Sequence, residues 1–177
     1  ADNIFTINRL GTSNSFESGK SLTLGLDYKF DPIESMSSSK EINIKDKFLE
    51  FKLATVIRDK EETNIPISST INRKNSNLFG SINNNLLDNI NIGYNFSIDN
   101  NMKTISLHSL DTEISINNFV TNFNYIEERN EIGSTHMLSN TTEYKIEDYA
   151  SIKFSTRRNK KINLTEYYDL SYEYKND

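Results

Sequence analysis

The stretch that decides the fold is Asp88-Asn89-Ile90-Asn91-Ile92-Gly93-Tyr94-Asn95-Phe96-Ser97-Ile98. Ile90, Ile92, Tyr94, Phe96 and Ile98 share one parity, and Asn89, Asn91, Gly93, Asn95 and Ser97 share the other. Successive side chains of an extended chain point to opposite faces, so this segment reads as a strand with one apolar and one wet face. The period recurs upstream, where Leu22, Leu24, Leu26, Tyr28 and Phe30 alternate with Thr23, Gly25, Asp27 and Lys29, and where Leu49, Phe51, Leu53 and Ile57 oppose Glu50, Lys52 and Ala54. Downstream it returns in Ile105 and Leu107, in Ile114 and Ile116, and in Phe119, Thr121, Phe123 and Tyr125. Near the end Ala150, Ile152 and Phe154 oppose Ser151, Lys153 and Ser155. Leu164, Tyr168, Leu170, Tyr172 and Tyr174 then oppose Asn163, Thr165, Asp169, Ser171 and Glu173, with Glu166 and Tyr167 out of phase. The parity slips at Asn117-Asn118, and a one-residue slip within a long strand predicts a β-bulge there.

Polar clusters between these runs read as hairpin turns: Asn84-Asn85 to Asp88, Asp99-Asn100-Asn101, Glu147-Asp148, and Arg158-Asn159-Lys160-Lys161. Three longer links cover about 31–46, 59–75 and 127–137. No segment carries an apolar stripe at helical spacing over three turns. The expectation is an all-β, antiparallel up-and-down meander of nine or ten strands in sequence order, with almost no helix.

Composition bounds the class. The 177 residues are 35% apolar and 25% charged, with a formal net charge of −5 and no cysteine. Ten Phe and nine Tyr are more aromatic content than disordered chains carry. The absence of cysteine excludes a disulfide scaffold, Cys-ligated metal and thiol chemistry. A mildly acidic pI near 5.2 argues against a general nucleic-acid binder. The heavy use of Asn, Ile and Lys runs through the whole chain and reads as compositional drift. The chain shows no signal-peptide pattern and no apolar run of transmembrane-helix length. It begins and ends inside strand-like runs, so residues 1–177 are read as one partial domain of a longer protein.

Run length separates two architectures. Sandwich strands usually cover about five or six residues, whereas a strand crossing an outer membrane needs about 9–11. The runs 21–30, 48–58, 88–98, 112–126 and 162–174 reach the longer figure, and their apolar faces end in Tyr or Phe, which suits the boundary between hydrocarbon and headgroups. The expectation is therefore a segment of a large transmembrane β-barrel. Leu22, Leu24, Leu26, Ile90, Ile92, Tyr94, Phe96, Ile152, Phe154 and Leu170 would face lipid. Asn89, Asn91, Asn95, Ser97, Lys153, Asp169 and Ser171 would face the lumen. A soluble β-sandwich binding glycans or a protein shows the same alternation, and a porin-type channel shares the barrel architecture; both stay open at this point.

Three stretches carry a resemblance. Asn3-Ile4-Phe5-Thr6-Ile7-Asn8-Arg9, then Phe16-Glu17-Ser18-Gly19 and Leu22-Thr23-Leu24-Gly25-Leu26, resembles the outer-membrane LPS-assembly protein family (LptD, also called OstA). Phe48 to Arg58, Pro66 and Ser76-Asn77-Leu78-Phe79-Gly80 look like that family's next strand, loop and Ser-Asp-x-x-Gly step, with Asn77 where Asp is commoner. Tyr167 to Tyr174 resembles a strand close to its C-terminus. The resemblance implies a large barrel in the Gram-negative outer membrane. Such a barrel takes lipopolysaccharide from a periplasmic bridge protein, releases it among outer-membrane lipids and holds a plug lipoprotein (LptE-like) in its lumen. It implies no enzyme activity and no cofactor.

Candidate chemistry is sparse. His108 is expected on a polar strand face and His136 in a loop, without metal-ligand spacing. Glu127, Glu128 and Glu131 form one acidic loop and Glu61-Glu62 another, both read foremost as solvated. Arg157, Arg158, Lys160 and Lys161 crowd one turn, where contact with anionic lipid headgroups is the functional alternative to a plain charged hairpin. No catalytic triad spacing or Gly-rich phosphate loop occurs.

Overall fold

The structure is a computed structural model, and it describes residues 17–32, 47–129, 133–146 and 149–174. They form one nine-stranded sheet in sequence order. The strands are β1 (Ser21–Phe30), β2 (Leu49–Arg58), β3 (Leu78–Leu87), β4 (Ile90–Ile98), β5 (Ile105–Ile116), β6 (Phe119–Arg129), β7 (Ser134–Ile146), β8 (Ala150–Asn159) and β9 (Leu164–Tyr174). Every neighbouring pair is antiparallel. The helical content among the described residues is a single 3-10 turn, Ile67–Ser69. The sheet is open, with β1 and β9 as its edges.

Register keeps the apolar parity on one side of all nine strands. From Leu26 the cross-strand partners run through Leu53 and Gly80 to Phe96 and His108. From Tyr28 they run through Phe51, Ile82, Tyr94, Leu110, Tyr125 and Leu138 to Arg158. The rows also drift. Phe30 is the last residue of β1, yet its row leads through Ile92 and Phe123 to Tyr168, well short of the corresponding end of β9 at Tyr174. That offset is about 20 Å along the strands over about 38 Å across them, a slope of roughly 28°. A steady one-way stagger is what strands tilted against a common axis produce.

Several local expectations are corrected. The parity slip at Asn117-Asn118 is a two-residue hairpin turn, because Ile116 pairs with Phe119 and the run 112–126 is two strands. Asn117 takes a left-handed φ of 51°, which Asn tolerates better than most residues. The bulges lie elsewhere. Ser97 pairs with Leu107 but Ile98 with Ile105, leaving Ser106 extra; Arg157 pairs with Tyr167 but Arg158 with Thr165, leaving Glu166 extra. The second bulge moves Leu164 out of the row parity of Tyr168 and Leu170. Strand β3 runs past Asn84-Asn85, and the turn is Asp88-Asn89. The long link expected at 127–137 shrinks because β6 and β7 extend into it, and Glu127 pairs with His136. Glu131, Glu147, Asp148, the Asn3 to Arg9 run and most of the 31–46 link lie outside the described residues.

Gly80 shows how tightly one cross-strand pair is built. A Cβ there would stand 2.1 Å from the ring tip of its partner Phe96, so the ring lies over the bare backbone. Gly93 has room, its nearest neighbour being an Asn83 oxygen at 3.4 Å. Gly80→Ala is expected to displace the ring and destabilise the sheet by about 1 kcal/mol. Gly93→Ala should be neutral to slightly stabilising. Urea unfolding followed by tyrosine fluorescence measures both.

Candidate functional site: two faces of one sheet

The apolar face carries most of the chain's large hydrophobic side chains and has no second layer on it among the described residues. Leu24 is 47% exposed, Ile152 41% and Leu170 72%, and the exposed set spans β1 to β9. Register puts Leu22, Leu24, Leu26, Ile90, Ile92, Tyr94, Phe96, Ile152, Phe154 and Leu170 together on this face. Buried apolar residues are few among the described residues: Ala54, Val56, Ile65, Ile71, Met137 and Ala150.

The opposite face is polar. Asn91, Asn95, Ser97, Lys153, Asp169 and Ser171 all lie on it, whereas Asn89 sits in the β3–β4 turn, where its carbonyl accepts the Ser115 amide at 2.8 Å. One row there reads Asn91, Glu113, Asn122, Thr141, Ser155, Asp169. Side-chain bonds cross it: Asn91 donates to Glu113 at 3.3 Å, Asn83 to Glu50 at 3.1 Å, and Asn124 to Asp111. Lys52 adds an ion pair with Glu50 at 2.9 Å.

The feature that alternation alone does not announce is the link between β2 and β3. Residues 59–77 fold back across the polar face as a strap. Ile65 and Ile71 bury against Ala54 and Val56, with Phe79 alongside. Ala54, Val56 and Phe79 are on the polar side by register, so three small or apolar residues interrupt that face where the strap lands. Arg58 fastens it. The guanidinium, 5% exposed as a residue, donates from Nε to the Ile71 carbonyl at 2.6 Å and from Nη1 to the Ser18 carbonyl at 3.3 Å, and pairs with Glu17. The Ser76 hydroxyl accepts the Val56 amide at 2.9 Å, and Asn77 donates to the Ser97 and Ser106 hydroxyls at 3.0 and 2.9 Å. Ser97 is therefore covered by the strap, not open to solvent. A cavity of about 440 Å³ remains between the strap and β4–β6, walled by Ile67, Phe79 and Leu107 with Arg73 and Asp99 at its polar side. Within the strap Glu62 accepts the Ser18 hydroxyl and the Asn64 amide, which hold its carboxyl below the usual range.

The histidines are not where the alternation put them. Because Ser106 is the extra residue of a bulge, His108 turns to the apolar face, opposite Phe96. His136 lies in β7 on that same face, opposite Glu127. Among the described residues no three His, Asp or Glu side chains converge as a metal site. No family model and no curated protein matches the chain.

Arg58→Ala is expected to remove the strap's anchor and strand the Ile71 carbonyl, a loss of about 3–5 kcal/mol locally. Trypsin should then cut at Arg73 and Lys74 under conditions that leave the wild-type chain whole. A second expectation concerns the β4–β5 turn. The Thr104 hydroxyl and the Thr104 and Lys103 amides donate to Asp99 at 2.8, 3.2 and 2.8 Å, the hydroxyl foremost in holding its carboxyl below the usual aspartate range. A depressed carboxyl stabilises fully above its unfolded value and loses that contribution as pH falls through the folded one. Asp99→Ala should speed amide exchange at Lys103 and Thr104 at neutral pH, and the difference between the two proteins should shrink as acidification protonates Asp99.

Proposed function

We propose that this chain is part of the wall of an outer-membrane β-barrel in a Gram-negative bacterium, and that the barrel assembles lipopolysaccharide into the outer leaflet. The observation that carries the wall reading is the face to which all nine strands contribute large apolar side chains, bare of any protein layer among the described residues. Three further features support it. The strands are 9 to 13 residues long, enough to cross hydrocarbon at a tilt. The register drifts one way, as tilted strands require. The other face is a hydrogen-bonded polar surface suited to a wet lumen. No helix among the described residues is long and apolar enough to cross a membrane, and barrel proteins cross with strands instead. A β-sandwich would need a second sheet about 10 Å from Ile90, Ile92, Tyr94 and Phe96, and the described residues make one sheet.

The lipopolysaccharide part rests on the resemblance of the Asn3 to Arg9 run, the Gly25-Leu26 strand and the Tyr167 to Tyr174 strand to the LPS-assembly family. In this reading membrane lipids cover the apolar face. The polar face guides amphiphilic lipid delivered by a periplasmic bridge protein and shares the lumen with an LptE-like plug lipoprotein. No residue performs bond chemistry. Without the resemblance the same wall would serve a porin-type channel.

Fractionation of cells expressing the full-length protein is expected to recover it with the outer membrane, and recovery in the soluble periplasm ends the proposal. Ile92→Arg on the apolar face should cost about 2–4 kcal/mol of folding into lipid vesicles, whereas Asn95→Arg on the polar face should be tolerated. Photo-crosslinkers at Asn95 and Asp169 should yield lipopolysaccharide adducts in cells, and their absence would leave a wall without this cargo.

A further inference from the structure

One row of the apolar face carries titratable side chains. Reading across from Phe96, the partners are His108, Glu127 and His136, and the backbone of Lys160 continues the row by donating to the His136 carbonyl at 2.7 Å. Tyrosines from the next row reach back to it. The Tyr94 hydroxyl bonds His108 Nδ1 at 2.7 Å, and the Tyr125 hydroxyl donates to Glu127 at 2.9 Å and meets His136 Nε2 at 3.1 Å. Arg129 pairs with the other Glu127 oxygen at 2.5 Å. Polar groups without partners are costly in hydrocarbon, so titratable side chains aligned over three strands mark where hydrocarbon ends. Tyrosine rings on the apolar side with hydroxyls toward the row fit that boundary.

Cations stand at this line. Arg158 is on the same face, beside Leu138 and Thr165, and donates to Asn163. Lys160 and Lys161 are exposed in the turn that follows, Lys161 reaching the Ser134 carbonyl at 3.4 Å. Two nearby acids among the described residues are engaged, Glu127 by Arg129 and Glu166 by Arg157 at 3.1 Å. Beside and below the cations this strip of the face presents Leu138, Phe154 and Tyr168, the last two with stacked rings, around Asn140 and Thr156.

We propose that Arg158, Lys160 and Lys161, with the strip beneath them, form a docking site for a phosphate-bearing lipid of the leaflet at that rim. Its acyl chains would lie on the strip and its phosphate on the cations. This rests on the wall reading, since only there does the strip meet acyl chains. Charge complementarity selects an anionic lipid, because cations held at a membrane surface attract acidic headgroups. The test is the full chain in phosphatidylcholine bilayers carrying spin-labelled phosphatidylglycerol or spin-labelled phosphatidylcholine, with the motionally restricted fraction read by electron spin resonance. Phosphatidylglycerol is expected to be preferred about tenfold. Arg158→Gln with Lys160→Gln and Lys161→Gln should reduce the preference below about twofold, while Lys145→Gln with Lys153→Gln retains it. Restricted lipid without headgroup preference, or a preference surviving the triple substitution, overturns the site and leaves the wall standing. Loss of the preference on adding inorganic phosphate overturns the lipid as occupant. No restricted component with either label overturns the wall reading and the site together.

Discussion

Backbone pairing between sequence neighbours, held in register over nine strands, is the constraint on which the rest depends. A strand has a side-chain period of two, so a single uncompensated slip would carry every later Leu, Ile and Tyr to the opposite face. The chain tolerates extra residues only where the phase is restored or a strand is ending, as at Ser106 and Glu166. The result is a segregation that no internal layer hides. An antiparallel sheet in water normally packs its apolar side on something. Here the described residues supply nothing, and the lipid covering proposed above would also account for the strand lengths and the stagger.

The strap introduces a second physical principle, burial of the ordinary globular kind, but on the face where water is expected. Val56, Ile65 and Ile71 are almost fully inaccessible, whereas many large apolar side chains on the other face are exposed. A buried guanidinium is tolerable because Arg58 meets two carbonyls and a carboxylate at once. The strap is thus fixed by a small core and a charged pin. In a barrel it would narrow the lumen without a separate plug domain, and it leaves a cavity of mixed character beside β4–β6.

How much of this was legible depended on which force acted. Strands built by alternation were readable almost to the residue: the run 21–30 is β1, and the last run is β9 but for two residues. Features set by pairing partners were not. In sequence His108 reads as a wet-face residue because Leu107 precedes it, and only the mismatch between β4 and β5 turns it over. Asn117-Asn118 looked like a bulge because a parity slip and a two-residue hairpin leave the same trace in sequence. The strap does leave a signal in the sequence. Val56 beside Ile57 and Phe79 beside Leu78 put apolar side chains on both faces of β2 and β3, which a one-sided sheet does not need. Ile65 and Ile71 in a long polar link were their partners.

The parity of the strands carries the argument one step further. Nine antiparallel strands in order leave β1 and β9 running in the same direction. Joining them directly would make a parallel seam in an otherwise antiparallel sheet, while open edges in hydrocarbon would leave rows of unpaired amides and carbonyls, each costing several kcal/mol. If the apolar face is a lipid face, both edges therefore need further strands. An even total, reached with an odd number of additional strands, allows every seam to be antiparallel. The drift from Phe30 to Tyr168 adds a condition: the strands that complete the wall must continue the stagger in the same sense, since closure requires one consistent shear around the barrel. The open sheet and its slope are thus two aspects of one requirement, and an untilted sandwich imposes neither.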